Sequence, residues 1–218
     1  MTSSKHLYIL IACEESQAEC MAFRALGHVA FSCDIQPCRP SGRPEWHIQG
    51  DVSPLLYGFP EFTTMDGVRH CVPRWDLIIA HPPCTFLCKA GSVWMRSCGE
   101  LVPSRYALMT QGRALFFRCL RTKAADYVAV ENPLPMAIAR LPRPSCYVDP
   151  SWFGVKYSKK TLYWLRGLPP LMPVCEHPSP KCYVKASRGR YRSRTFPAMA
   201  AAIADQWSAF IIREKAVQ

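Results

Sequence analysis

The run Trp75-Asp76-Leu77-Ile78-Ile79-Ala80, closed at once by His81-Pro82-Pro83-Cys84-Thr85, constrains this chain more than any other stretch. Such a run reads as a buried strand of the kind that parallel sheets use beneath covering helices. The two prolines fix φ and remove two amide hydrogens, so the strand ends in a rigid turn with bare carbonyls. A cysteine delivered from that turn lies at the carboxyl edge of the sheet, where open α/β folds bind ligands. A second strand run, Tyr127-Val128-Ala129-Val130, ends in Glu131-Asn132-Pro133. The thiol of Cys84 and the carboxyl group of Glu131 thus make a candidate two-residue reaction centre.

The remaining pattern alternates strand and helix. His6 to Ala12 reads as a first strand, followed by the turn Cys13-Glu14-Glu15. Ser16 is placed to cap a helix in which Ala18, Met21, Ala22, Ala25 and Leu26 keep helical spacing up to a Gly27 stop. Val29 to Ser32 is a short second strand that ends at Cys33-Asp34. After an irregular Pro-rich segment, Trp46 to Gln49 leads into Gly50-Asp51, a third strand end. Residues 54–73 read as a covering loop, and 89–103 as another. A long helix is expected from Ser104, with Leu108, Gly112, Leu115 and Cys119 on one face, flanked by Phe116 and Leu120. Thr161 to Leu165 reads as a strand. The last helix is expected from about Pro197 to Arg213, burying Met199, Ile203, Trp207, Phe210 and Ile211.

This alternation predicts an α/β fold with a Rossmann-like, doubly wound, mainly parallel sheet. No internal repeat or splitting linker interrupts it, and 218 residues suit one sizeable domain. Residues 1–140 are expected to form the cofactor-binding and catalytic core. Residues 141–218 form a C-terminal part with a basic segment, 185–194, and a closing helix, 197–213.

No apolar run approaches the roughly 20 residues of a membrane helix, and the start lacks a signal-peptide core. A cytosolic protein with no membrane partner is expected. The 12 cysteines therefore read as reduced thiols rather than a disulfide framework. Cys175, His177 and Cys182 hint at zinc, but three candidates are not four, and a closed structural site wants a fourth ligand such as Cys146. No metal is assigned. The net charge of +11 favours a polyanionic partner, nucleic acid first. Arg188, Arg190, Arg192 and Arg194 alternate with other residues, so in an extended conformation they share a face suited to phosphates. Tyr191 between them suits stacking.

Two acids sit at successive strand ends. Asp34, about 20 residues after the first turn, suits ribose hydroxyls, and Asp51 can accept a hydrogen bond from an adenine amino group. Together they describe half of an adenosine-containing cofactor site.

In this order of pieces the chain resembles DNA cytosine-5 methyltransferases. The resemblance covers most of the chain from Leu7 to Glu131 through Asp34, Gly50-Asp51, Pro83-Cys84 and Glu131-Asn132. It is similar in particular to small methylase-like proteins of bacteriophages. That likeness runs through Ala12-Cys13-Glu14-Glu15-Ser16-Gln17, His81-Pro82-Pro83-Cys84-Thr85 and Glu131-Asn132-Pro133. Later stretches share it: Phe153-Gly154, Lys160-Thr161-Leu162-Tyr163-Trp164-Leu165, Leu168-Pro169-Pro170-Leu171 and Ala204-Asp205-Gln206-Trp207.

The resemblance implies S-adenosylmethionine as methyl donor and a cytosine flipped from DNA as substrate. It implies that Cys84 attacks carbon 6 while Glu131 holds and protonates N3. It places Ala12, Cys13, Glu14, Asp34, Ile35, Asp51, Val52, His81 and Pro83 around the cofactor. Pro82, Pro83, Thr85 and Asn132, with the four arginines, would meet the substrate. A bacterial or phage-infected cell is the implied setting.

The chain departs from the family in three places. The first loop contains no glycine. His81 stands where amino-group methyltransferases carry Asp or Asn, leaving amine methylation as a minor alternative. The space between the Thr161–Leu165 strand and the last helix is too short for a separate target-recognition domain. Three further alternatives stay open: hydroxymethylation with another one-carbon donor such as a folate, modification of a free nucleotide, and a degenerate DNA-binding relative without activity.

Overall fold

The computed structural model describes residues 6–175, 182–183 and 195–217. Seven strands form the main sheet: β1 (Tyr8–Ala12), β2 (Val29–Asp34), β3 (His47–Gln49), β4 (Trp75–Ala80), β5 (Ala125–Asn132), β6 (Cys146–Val148) and β7 (Thr161–Arg166). Their spatial order is β6-β7-β5-β4-β1-β2-β3. The first five are parallel to one another. β7 runs antiparallel to β5, and β6 antiparallel to β7. The architecture is therefore the expected doubly wound, mainly parallel α/β sheet, with an antiparallel edge. Its strand order reverses between β1 and β4, the place where such sheets bind ligands.

Side-chain alternation along each strand builds two cores. Leu10, Phe31, Ile78, Val128 and Trp164 face one side, beneath α2 (Ser53–Leu56) and α3 (Pro103–Arg121). Ile9, Ile11, Leu77, Ile79 and Tyr163 face the other, beneath α1 (Ala18–Ala25) and α4 (Pro197–Val217). α4 buries Met199, Ile203, Trp207 and Ile211 at a four-residue spacing, while Phe210 packs at the edge of that core. It continues beyond the expected end at Arg213.

Several expectations need correction. Residues 54–73 are not a simple loop: they contain α2 and a hairpin pairing Glu61–Thr63 with Arg69–Cys71. The hairpin stacks Phe62 on Trp75, ring centroids 5.8 Å apart, which closes one end of the sheet. Residues 89–103 contain a 3-10 helix, Lys89–Trp94, and a small hairpin, Arg96–Ser97 with Glu100–Leu101. On α3 the buried stripe is Met109, Phe116 and Cys119. Leu108 is 39% exposed, because Met109 lies one turn before Gly112 on the face that meets the sheet. Ser16 does not cap α1. Gln17 takes that place in a left-handed conformation, φ 57°, and the Glu14 carboxylate accepts from the amides of Glu19 at 2.8 Å and Cys20 at 3.3 Å.

No helix among the described residues is long and apolar enough to cross a membrane.

Candidate active site at the carboxyl edge of the sheet

The parallel register brings the strand ends into one row. Ala80 pairs with Ala12 on one side and with Val130 on the other. His81, Cys13 and Glu131 are therefore neighbours at the same level, and Tyr163 on β7 pairs with Glu131. The His81 amide donates to the Ala12 carbonyl at 2.9 Å, which seats the start of the Pro-Pro turn. Pro82 is buried, Pro83 and Thr85 are exposed, and Cys84 is half-buried between them. The Cys84 carbonyl accepts from the amides of Leu87 and Cys88, each at 2.9 Å, so the chain makes a single helical turn beyond the thiol. That turn is tied to the one after β5 through Lys89 to Leu134 at 2.7 Å and Met136 to Leu87 at 2.8 Å.

Beside Glu131 lies a shallow, open cleft lined by His81, Glu131, Lys159, Thr161, Tyr163 and Thr195 among others. His81 bridges two carboxyl groups: its Nε2 stands 3.2 Å from Glu19 Oε1 and its Nδ1 3.5 Å from Glu131 Oε2. Burial alone would lower the imidazole. Glu19 and Glu131 outweigh it and hold His81 well above the usual histidine range. Glu19 is completely buried and takes a hydrogen bond from the Thr195 hydroxyl at 2.8 Å. Glu14, sealed beside Glu19, is pushed up to about 7, first by burial and then by that neighbouring carboxylate. The Cys84 thiol is pushed up to about 11 by burial and then by the Glu131 charge, with Lys159 pulling the other way. Cys84, Glu131 and Lys159 thus feel one another across one small space.

On the other side of the switch point stand the expected cofactor residues. Asp34 is half-buried, which raises its carboxyl group, and its Oδ1 accepts from the Gln36 amide at 2.8 Å. Asp51 is held low by the amide and hydroxyl of Ser53, at 2.8 and 2.7 Å, which start α2. Ile35 beside them is 69% exposed, whereas Val52 is only 4% exposed and packs into the core. The site fits the adenosine half of a cofactor: two carboxyl groups on successive strand ends, each with an oxygen not committed to its turn, and an exposed apolar side chain for a flat ring.

The glycine-free first loop, which carries the expected cofactor residues Cys13 and Glu14, folds back onto β2. The amides of Cys13 and Glu14 both donate to the Cys33 carbonyl, at 2.7 and 3.2 Å. Cys13 itself is left-handed, φ 61°. The Glu14 carboxylate turns inward as the α1 cap and is not presented to a ligand. Asn132 likewise lies behind the cleft, fully buried, with its Nδ2 donating to the Pro133 carbonyl at 2.6 Å. Its Oδ1 is buried without a hydrogen-bond partner. Arg188, Arg190, Arg192 and Arg194 fall outside the described residues, as do His177 and the side chain of Cys182. Among the described residues no group of three His, Cys, Asp or Glu side chains is placed to hold a metal.

No known protein family matches the chain, and no curated protein does. Solved structures are similar to it in outline. The Dnmt2 methyltransferase of S. pombe is 15% identical over 73% of this chain and 49% of its own, with a TM-score of 0.39. A DNMT2 mutant of Spodoptera frugiperda is 13% identical over 73% of this chain and 50% of its own, with a TM-score of 0.37. The chain spans about half the length of both.

Glu19, Lys159, Tyr163 and Thr195 were not legible as site residues from their spacing. Glu19 alone carried a signal: a carboxyl group inside the apolar segment Ala18–Ala25, four residues before the core residue Phe23.

Proposed function

We propose that this chain is an S-adenosylmethionine-dependent methyltransferase acting at carbon 5 of cytosine in DNA, with Cys84 as nucleophile and Glu131 as the group that holds N3. The observation that carries this reading is the pairing of Cys84 with Glu131. The two sit on turns laced to each other, and are close enough for the carboxylate to raise the thiol. Carbon 5 of cytosine becomes nucleophilic only after a thiolate adds to carbon 6. Residues of these two types in electrostatic contact meet that need.

The chain's own residues divide the work as follows. Glu131 pairs with N3 and the exocyclic amine and supplies the N3 proton as the Cys84 sulfur bonds to carbon 6. As the base seats, Glu131 takes up the proton that leaves the Cys84 thiol and passes it to N3, so its charge no longer holds the thiol protonated. Lys159 favours the thiolate throughout. The nucleophile is thereby activated in the presence of the base and quiet without it. Asp34 and Asp51 would bind ribose and adenine, and the donor supplies the methyl group when bound. Loss of the carbon-5 proton then expels Cys84. The target base would be flipped from the duplex to reach Cys84 and Glu131. The arginines at 188, 190, 192 and 194 would contact phosphates.

A second reading keeps Cys84 and Glu131 but takes the one-carbon unit from a folate. The closed first loop, with the Cys13 and Glu14 amides committed to Cys33, leaves it open. One experiment separates the two. The protein is incubated with DNA and each donor in isotopically labelled form, and the modified nucleoside is identified by mass. Label in 5-methylcytosine supports the first reading, label in 5-hydroxymethylcytosine the second, and label in neither refutes both.

A further inference from the structure

Behind Glu131 the structure holds a second carboxyl group that the chemistry above does not use. Glu19 lies on the first turn of α1, fully buried, in a chain of close contacts from Thr195 through Glu19 and His81 to Glu131. Each link selects an atom. Thr195 and His81 both approach Glu19 Oε1, at 2.8 and 3.2 Å. His81 then approaches Oε2 of Glu131 at 3.5 Å. Both His81 links are ion-pair approaches, since its Nε2 has no hydrogen-bond partner, and Glu131 Oε1 and Glu19 Oε2 are likewise buried without one. A buried carboxyl oxygen without a partner is costly, and in a cleft wall it marks where a ligand donor or acceptor belongs.

We infer that Glu19 and His81 are positioning residues for Glu131, with Glu19 keeping the imidazole charged so that His81 pins Oε2 and leaves Oε1 for the cytosine edge. This deepens the proposed function and rests on it. When Glu131 gives its Oε1 proton to N3, the carboxylate that remains faces an imidazolium already in place. His81 keeps its own proton throughout. The N3 proton returns to Oε1 when the bond from Cys84 to carbon 6 breaks. Charge thus develops on Glu131 beside a preorganised counter-charge, in a site where water is scarce.

Other groups face the same histidine. Glu14, from the loop before α1, is near enough for His81 to lower it, which makes it a third acid near the imidazole. Tyr163, from β7, is fully buried, feels both Glu19 and Glu131, and has a hydroxyl without a hydrogen-bond partner. Lys159 supplies the cation on the open side of the cleft. Of these, Glu19 and Glu131 are the carboxylates in ion-pair distance of the ring.

The test compares wild type, Glu19→Gln and Glu19→Asp in the full chain. Histidine labelled with ¹⁵N reports the His81 ring directly, assigned by its loss in His81→Asn. In wild type the imidazolium should persist above pH 7. In Glu19→Gln its midpoint should fall by about one pH unit or more, the usual effect of removing an opposite charge at this range. The rate of adduct formation on 5-fluorocytosine DNA with S-adenosylmethionine should lose its alkaline activity correspondingly. At pH 8 it should drop about 10- to 100-fold with DNA affinity unchanged. Glu19→Asp should restore part of both. If Glu19→Gln proves unfolded by circular dichroism, His81→Asn serves in its place for the rate and should show the same loss at pH 8. An unaltered His81 titration, or an unaltered pH profile in a folded Glu19→Gln, overturns the inference. If wild type never forms the adduct, the cytosine reading falls, while the titration still reports separately whether Glu19 governs His81.

Discussion

The amide of Met136 donates to the carbonyl of Leu87 at 2.8 Å, so the turn that carries Cys84 and the turn that follows Glu131 move as one piece. A rigid pair of turns is what a two-residue reaction centre requires, because a misplacement of about 1 Å can reduce a rate about a hundredfold.

Gly91 shows how tightly that piece is packed. A Cβ there would stand 2.5 Å from the Thr85 carbonyl oxygen, which is backbone and has no room to yield. Gly91→Ala should lower stability by about 1–3 kcal/mol and reduce adduct formation at Cys84 at least tenfold. Gly112→Ala is the control: its Cβ meets Leu87 at 3.5 Å, ordinary contact, inside a helix where alanine is favoured by about 1 kcal/mol. Thermal melting and adduct yield on both variants check the contrast.

The Cys84 thiol should be sluggish in the free protein. With its pKa pushed up to about 11, alkylation by iodoacetamide should rise about tenfold per pH unit from pH 7 to about 10. Lys159→Gln, which removes the cation that favours the thiolate, should slow alkylation at every pH below that. Exposed Cys71 and Cys98 label first and serve as internal references in a mass-resolved time course. Rapid labelling of Cys84 at pH 7, at the rate of Cys98, would contradict the electrostatics of the cleft.

Glu14 links the same cluster to stability. Its carboxyl pKa is raised from 4.5 to about 7, so between those values the unfolded chain ionises while the folded one stays protonated. The stabilisation relative to an ordinary glutamate is therefore present below about pH 4.5 and is lost as pH rises through about 7, on the order of 3 kcal/mol. Glu14→Gln cannot ionise, and its amide oxygen can still accept from the Glu19 amide. Relative to wild type it should be close to neutral at pH 4.5 and stabilising at pH 8. Urea melts at both pH values measure the difference.

At the cofactor end, Asp34→Ala should weaken binding of S-adenosylhomocysteine by about 1 kcal/mol or more in calorimetry, the contribution of one charge-assisted hydrogen bond. Asp51 is the harder test, since its Oδ1 also starts α2 through Ser53. Asp51→Asn is the milder substitution there. Unchanged affinity in Asp34→Ala would remove that residue from the site.

Among the parallel strands, β3, only His47–Gln49, was placed by the Gly50-Asp51 that follows it. The other four were legible as largely apolar runs ended by polar or proline residues, a pattern set by burial on both faces. The switch point and the placing of Cys84 and Glu131 followed from it. β6 and the Glu61–Thr63 hairpin strand were not legible, since three residues show too little alternation to outweigh the Gly and Pro around them. Leu108 and Met109 are equally apolar, and only the rotation of α3 against the sheet decides which is buried. Glu19 carried only a weak signal, for a different reason. A glutamate in the first turn of a helix ordinarily faces water and complements the dipole, and its burial here depends on His81 and Thr195, which are distant in sequence. The closed loop at Cys13 and Glu14 likewise depends on a single carbonyl of β2.

The most direct test of the central claim is covalent capture on DNA containing 5-fluorocytosine. Fluorine at carbon 5 blocks the elimination that releases the thiol, so an enzyme of this kind becomes fixed to the base once carbon 5 has been alkylated. With S-adenosylmethionine, or with the folate donor if that reading holds, wild type should form a one-to-one adduct whose cross-linked peptide contains Cys84. Cys84→Ser should form none, because a hydroxyl has too little anion at neutral pH to replace the thiolate. Glu131→Gln should form it at least a hundredfold more slowly with DNA binding retained, and Cys88→Ser should form it normally. An adduct that survives in Cys84→Ser and disappears in Cys88→Ser would show the nucleophile to be misassigned. No adduct in wild type with any donor would contradict cytosine carbon-5 chemistry altogether.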